Sequence, residues 1–179
     1  MPTTKTFQNP FKVWMLVLVM AIISSCGVYK FNDVSIDPNV KTVRINIFEN
    51  RAQYVNPQLH PTLTDRVRQR IVNQTRLAQT QSDNAHYDIS GTITGYTIST
   101  SGISSGGNNN QRQASMNNLN VTVHVTLNDR LKGEVKEYDI SRAFPFNASL
   151  SLQAAEAQLM DEIVRNLSDD IFNRIFSTW

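Results

Sequence analysis

Cys26 is the chain's single cysteine, and its neighbours suit one reaction at its sulfur. It follows Ile23-Ser24-Ser25 at the end of an apolar run from Val13 to Ile23. Lys5 and Lys12 precede that run, with no acidic residue among them. A positive leader, a short apolar stretch and small residues at the cleavage point make a secretory signal. The run is too short for a spanning helix, which needs about 20 apolar residues. Cysteine directly after an aliphatic residue and two small ones is the bacterial lipobox pattern. The expected chemistry is cleavage before Cys26, diacylglycerol on its thiol and acylation, as by palmitate, of the new amino group. The competing reading is an ordinary secretory signal with an incidental free thiol, but an unpaired thiol is a liability in a secreted chain.

The other reactive side chains do not converge. His60, His86 and His124 stand at unrelated spacings, whereas a metal site needs several ligands on one point. Gly91-Thr92-Ile93-Thr94-Gly95 lies in a strand pattern and precedes no helix, so it is no phosphate loop. Asp161-Glu162 and Asp169-Asp170 are neighbours on a helix and point about 100° apart. No nucleophile elbow or P-loop is present. Arg66, Arg68, Arg70 and Arg76 lie on one predicted helix against Asp65; the alternatives are a phosphate contact and a solvated basic face, and the second is favoured because charge runs usually are solvated. The expectation is a non-enzymatic protein with no catalytic residue, no metal and no cofactor beyond the covalent lipid on Cys26.

Charge supports no polyanion partner. The chain has 17 Lys+Arg and 15 Asp+Glu, and two of the cations lie in residues 1–25, so cleavage leaves 15 against 15. Nucleic acid is therefore not an expected partner. Removing 25 of 179 residues leaves 154, enough for one domain with a real core. The expected division is a signal peptide over 1–25, a lipidated N-terminus and short linker over 26–39, and a single α/β domain over 40–179. Each buried CH₂ of an acyl chain contributes about 0.8 kcal/mol, so several chains make a lasting anchor. Gly27 replaces the Asp that retains inner-membrane lipoproteins, and no acidic run follows Cys26. Both point to the periplasmic face of the cell outer membrane.

The elements that carry these residues follow from hydrophobic period. Asp37-Pro38-Asn39 is a turn signal. Val43, Ile45 and Ile47 alternate as a strand. Leu59, Leu63, Val67 and Ile71 recur every four residues, one face of a helix. Asn56-Pro57 could start that helix, but Pro61 would then lack a donor inside it, so its regular part is expected from Pro61. Tyr87, Ile89, Gly91 and Ile93 alternate, and the phase then slips to Tyr96 and Ile98, which predicts a bulge at Gly95. Thr100 to Asn118 shows no pattern and is expected to be disordered in isolation. Leu119, Val121, Val123, Val125 and Leu127 form the cleanest strand. Asn128 to Gly133 is a turn, and Tyr138, Ile140 and Phe144 mark a strand that breaks before Pro145. Leu159, Ile163, Leu167, Ile171 and Ile175 stripe a closing helix from about Leu152 to Phe176. The expected fold class is α+β: a two-layer α/β sandwich in the order β-α-β-β-β-α. A mixed four-stranded sheet would carry two helices packed on one face, with a right-handed first crossover.

The hairpin has an unusual outer face. From Thr97 to Asn128 the only formal charge is Arg112, although exposed hairpins normally carry Lys and Glu. Asn120, Thr122, His124 and Thr126 point away from the predicted core. Neutral hydrogen-bonding groups suit burial against a polar partner.

Short motifs in order carry a family resemblance. They are Cys26-Gly27-Val28-Tyr29-Lys30-Phe31, Val43-Arg44-Ile45, Asn50-Arg51-Ala52, Asn56-Pro57, Ile89-Ser90-Gly91-Thr92-Ile93-Thr94-Gly95-Tyr96 and Asp170-Ile171-Phe172-Asn173-Arg174. Together they resemble the lipopolysaccharide (LPS)-assembly lipoprotein family, LptE, in its Bacteroidetes form, over essentially the whole mature chain. The resemblance implies a non-enzymatic role as plug and assembly partner inside the outer-membrane β-barrel LptD, with lipopolysaccharide as a ligand of some members. Under it, Asn120, Thr122, His124 and Thr126 would face the barrel. Arg112, Arg130 and Lys132, at the loop ends of the hairpin strands, would be the candidate contacts to lipopolysaccharide phosphates. The alternative is a periplasmic lipoprotein regulator docking on a cell-envelope enzyme. About 15 residues separate Cys26 from the first strand, a reach of at most about 50 Å, which favours a partner at the membrane. A hydrolase is disfavoured by the absence of a catalytic constellation.

Overall fold

The computed structural model describes residues 36–105 and 112–177. Cys26 and the signal lie outside them. Eight elements follow in order: β1 (Thr42–Ile45), β2 (Glu49–Asn50), α1 (Leu59–Gln74), β3 (Ala78–Gln79), β4 (Tyr87–Ser105), β5 (Arg112–Asp129), β6 (Glu134–Asn147) and α2 (Leu152–Phe176). The fold is α+β with two helices and a mixed sheet. The sheet has six strands rather than four, in the order β3-β1-β4-β5-β6, with β2 also paired to β4. The two additional strands are two residues long, too short to show any period.

β1 runs parallel to β4, pairing Val43 with Tyr87 and Ile45 with Ile89, and α1 lies between them in sequence. β2 continues along β4, pairing Glu49 with Thr92. Ile47 does not extend β1 as its alternation predicted. It is 70% exposed, and Phe48 takes the buried place instead. The chain steps between β1 and β2 there, and Thr64 Oγ1 accepts the Phe48 N–H at 3.0 Å. A Cβ on Gly91 would lie 2.7 Å from the Phe48 ring. Gly91 is thus the floor on which that ring rests.

β4, β5 and β6 form an antiparallel meander. The register shifts between Ile93 and Gly95, leaving Thr94 as the extra residue. That is the predicted bulge, and it returns Tyr96 to the buried face. Two other expectations fail. β4 continues through Thr100 to Ser105 and pairs there with 112–117, which the unpatterned sequence did not suggest. Ladder hydrogen bonds come from the backbone and need no side-chain period. The loop between, 106–111, lies outside the described residues. β6 also does not break before Pro145. Pro145 pairs with Asn118, and proline is tolerated because β6 is an edge strand.

Leu59, Leu63, Val67 and Ile71 of α1 are fully buried, as are Ile163, Leu167 and Ile171 of α2. They pack with Ile89, Ile93 and Val121, Val123 and Val125 in one core. α1 starts at Leu59 with Gln58, not Asn56, at the N-cap and no side-chain cap bond; Asn56 Oδ1 accepts the Gln58 N–H at 2.9 Å in the turn before it. Pro61 then falls in the first turn, where no intrahelical donor is needed, and the conflict seen in the sequence disappears. Ser151 caps α2, its side chain accepting from Ala154 N. Arg70 ties the helices together: it pairs with Asp169 and sits 5.4 Å over the Phe172 ring.

Candidate functional site

Alternation on β5 sends Val121, Val123 and Val125 into the core, which leaves Asn120, Thr122, His124 and Thr126 on the other side of the sheet. Among the described residues no element covers that side. Thr122 opposes Ser141, and their hydroxyls share a hydrogen bond of 3.0 Å. His124 opposes Asp139, with Nδ1 2.8 Å from the carboxylate. Asn120 donates to Ser99 Oγ at 2.9 Å and reaches the Thr97 carbonyl at 3.4 Å. The face is therefore organised, with its polar groups held in cross-strand pairs. It is not free of charge: Glu137 and Asp139 of β6 border it, a feature not visible when β5 is read alone.

One end of this face carries a dense ion cluster. Arg44 on β1 grips Asp88 on β4 through Nε at 3.1 Å and through a second guanidinium nitrogen, and it also pairs with Asp83. Arg130 Nη2 reaches Asp88 at 3.2 Å, and Asn46 donates to it at 2.8 Å. The hydrogen bond from Arg44 holds the Asp88 carboxyl below the usual carboxylate range. Asp88 in turn raises the Arg44 guanidinium. Lys132 lies 3.8 Å from Asp37, so the first described residues of the domain lie beside the β5–β6 turn. Asp129 shapes that turn, accepting from Leu131 N and Lys132 N, and Gly133 adopts φ +66°.

The three cations predicted as phosphate contacts are not brought together. Arg130 and Lys132 share the β5–β6 turn, each beside a carboxylate. Arg112 begins β5, an 18-residue strand that ends at Asp129 and rises about 3.3 Å per residue, so it lies about 55 Å from that end. Two of the basic residues of α1 are also engaged, Arg68 with Asp65 and Arg70 with Asp169, while Arg66 is exposed. His60, His86 and His124 stand apart. His86 Nδ1 accepts the Lys41 N–H at 3.0 Å, a structural contact. Among the described residues no three His, Cys, Asp or Glu side chains are grouped to hold a metal ion.

Sequence reasoning missed a buried polar cluster on the core side. Tyr96 donates to Glu156 Oε1 at 2.7 Å, and Tyr54 reaches Oε2 at 3.3 Å. The two rings stack with centroids 5.4 Å apart. Burial first, then the hydrogen bond to Glu156, pushes the Tyr96 hydroxyl far up, and burial raises Tyr54 as well. Glu156 is 7% exposed. Its position three residues before Leu159, on the apolar stripe, was the available signal. The cluster ties the loop before α1 to β4 and to the start of α2.

Comparison with known proteins bears on this geometry. The model of the LptE family, described as lipopolysaccharide-assembly, matches residues 40–175. No curated relative matches. A solved structure from Xanthomonas campestris is 11% identical with a TM-score of 0.51, covering 77% of this chain and 87% of its own. That likeness shows the shared fold. A lipoprotein from Neisseria meningitidis is 11% identical with a TM-score of 0.42, covering 72% of this chain and 99% of its own.

Proposed function

This chain belongs to the LptE lipopolysaccharide-assembly family, and on that premise we propose that it is a lipid-tethered plug and assembly partner of the lipopolysaccharide-translocating outer-membrane β-barrel LptD. Anchored through Cys26 on the periplasmic face, it assists insertion of lipopolysaccharide into the outer membrane without performing catalysis. The observation that carries this reading is the uncovered sheet face. Its Asn120, Thr122, His124 and Thr126 present hydrogen-bonding groups in a row, and the interior of a transmembrane barrel is polar.

The direction of the chain supports the same reading. Asp37 sits beside Lys132 at one end of the domain, while the β4–β5 hairpin runs on past the exposed Ile98 to Ser105 and Arg112 at the other. Ten residues from Cys26 to Ile36 reach at most about 35 Å. The tether thus leaves the Lys132 end of the domain within about 35 Å of the membrane surface. In this arrangement Arg112, at the far end of the hairpin, is the candidate contact for lipopolysaccharide phosphates, and Arg130 and Lys132 stay at the tether end with Asp88 and Asp37.

The test is an affinity pull-down of the lipidated protein from detergent-solubilised outer membranes, read by mass spectrometry. A large β-barrel in roughly equal amount is expected. A Thr122→Arg/Thr126→Arg double variant should lose it while its melting temperature moves by only a few degrees, because Thr126 stands opposite Glu137 and opposite charges on facing strands are tolerated. Recovery of a cell-envelope enzyme in place of a barrel, or of nothing, would overturn the proposal.

A further inference from the structure

Among the described residues β6 pairs only with β5, so one side of its backbone ladder has no partner strand there. The opposite edge of the sheet ends in β3, two residues long, a common way to blunt an edge. β6 is 14 residues long and has no such limit. Its Pro145 and Arg142 guard only the distal part. Along Glu137–Ser141 the edge is instead walled by the last turns of α2, and the two enclose a groove of about 800 Å³. Tyr138 and Ile140 contribute from the strand, and Asp170, Asn173, Arg174 and Ser177 from the helix end.

An open ladder beside a helix is the geometry that receives an extended chain by strand addition. Five residues at about 3.3 Å each give a slot about 17 Å long. The charges say what kind of chain fits. On the helix side Asp170 is engaged by Arg142 at 2.9 Å, while Arg174 makes no ion pair among the described residues. On the outer side stand Glu137 and Asp139. The groove is also continuous with the polar face already described, because Glu137, Asp139 and Ser141 border both.

We propose that the β6–α2 groove receives an extended segment of the barrel partner as an added strand. That segment alternates apolar or acidic residues toward Ile140 and Arg174 with basic or hydroxyl residues toward Glu137 and Asp139. Opposite charges on facing strands favour this register. The inference rests on the barrel-partner reading.

Hydrogen exchange by mass spectrometry on the full lipidated chain, alone and in the co-purified barrel complex, tests it. The peptide spanning Glu137–Arg142 should exchange at least about tenfold more slowly in the complex, because strand addition protects edge amides. Arg174→Glu should remove that protection while leaving the melting temperature in place. Co-purification of the barrel with unchanged exchange over Glu137–Arg142 would overturn the groove assignment and leave the plug reading standing. Failure of any barrel to co-purify would overturn both. Protection that survives Arg174→Glu would overturn the charge pattern assigned to the segment.

Discussion

Replacing Gly91 by alanine is the most direct probe of how this sheet is built. Without tertiary contacts the change should stabilise the protein by about 0.4–1 kcal/mol, since alanine restricts the unfolded chain. The structure reverses the sign. The new Cβ would lie 2.7 Å from Cδ2 and Cε2 of Phe48 and 2.8 Å from Cγ; turning the ring about Cβ–Cγ leaves Cγ in place, and turning about Cα–Cβ swings the whole ring. Phe48 is 1% exposed and surrounded by core, so the ring must displace neighbours. Overpacking of this kind costs about 1–3 kcal/mol. The expected net loss is about 1–2 kcal/mol. For a chain of this size that is a fall of about 2–8 °C in Tm, measured by circular dichroism on the purified protein. Phe48→Leu in the same background should recover part of it, since the smaller side chain makes room for the methyl. Phe48→Leu alone should destabilise, through the volume it removes from the core. The double variant should therefore be more stable than the sum of the single effects predicts, by about 0.5 kcal/mol or more. A neutral or stabilising Gly91→Ala, or strictly additive effects, would refute the close approach of Phe48 to β4. The placement of β1 and β2 along that strand would then need revision.

Alkaline unfolding should report the buried tyrosine cluster. Tyr96 holds its proton more tightly in the folded protein than the unfolded reference near pH 10. The native state therefore binds more protons above that pH, and stability must fall as pH rises through it. Tyr96→Phe should flatten this slope in denaturant melts taken from pH 8 to 11. At pH 7 it should cost about 1–3 kcal/mol by leaving Glu156 a donor short; an unchanged alkaline slope would refute the role of Tyr96. Cys26→Ala should release the protein from the membrane fraction, and retention after alkaline wash would defeat the lipid-anchor assignment.

Local pattern in the sequence determined much of the architecture. The four-residue stripe of Leu59, Leu63, Val67 and Ile71 and the stripe of α2 marked the helices, because amphipathic period is written in contiguous residues. The phase slip at Gly95 revealed the bulge for the same reason. The run of charge-poor residues from Thr97 to Asn128 identified β5's outer face. Short motifs in order identified the family, which the family match over 40–175 bears out. Other features depend on residues distant in sequence. Backbone ladders extend β4 and β5 through a stretch whose side chains have no period. Thr64, sixteen residues on, accepts the Phe48 N–H and helps hold Phe48 rather than Ile47 inward. Asp88 gathers Arg44 and Arg130 from either side of it in the chain. Glu156 and Tyr96, sixty residues apart, meet only once α2 lies on the sheet. The same packing sends Arg112 to one end of the hairpin and Arg130 with Lys132 to the other. Periodicity tells each residue which way to face along its own element. Which groups then meet is decided by non-local pairing, and no contiguous stretch of sequence records it.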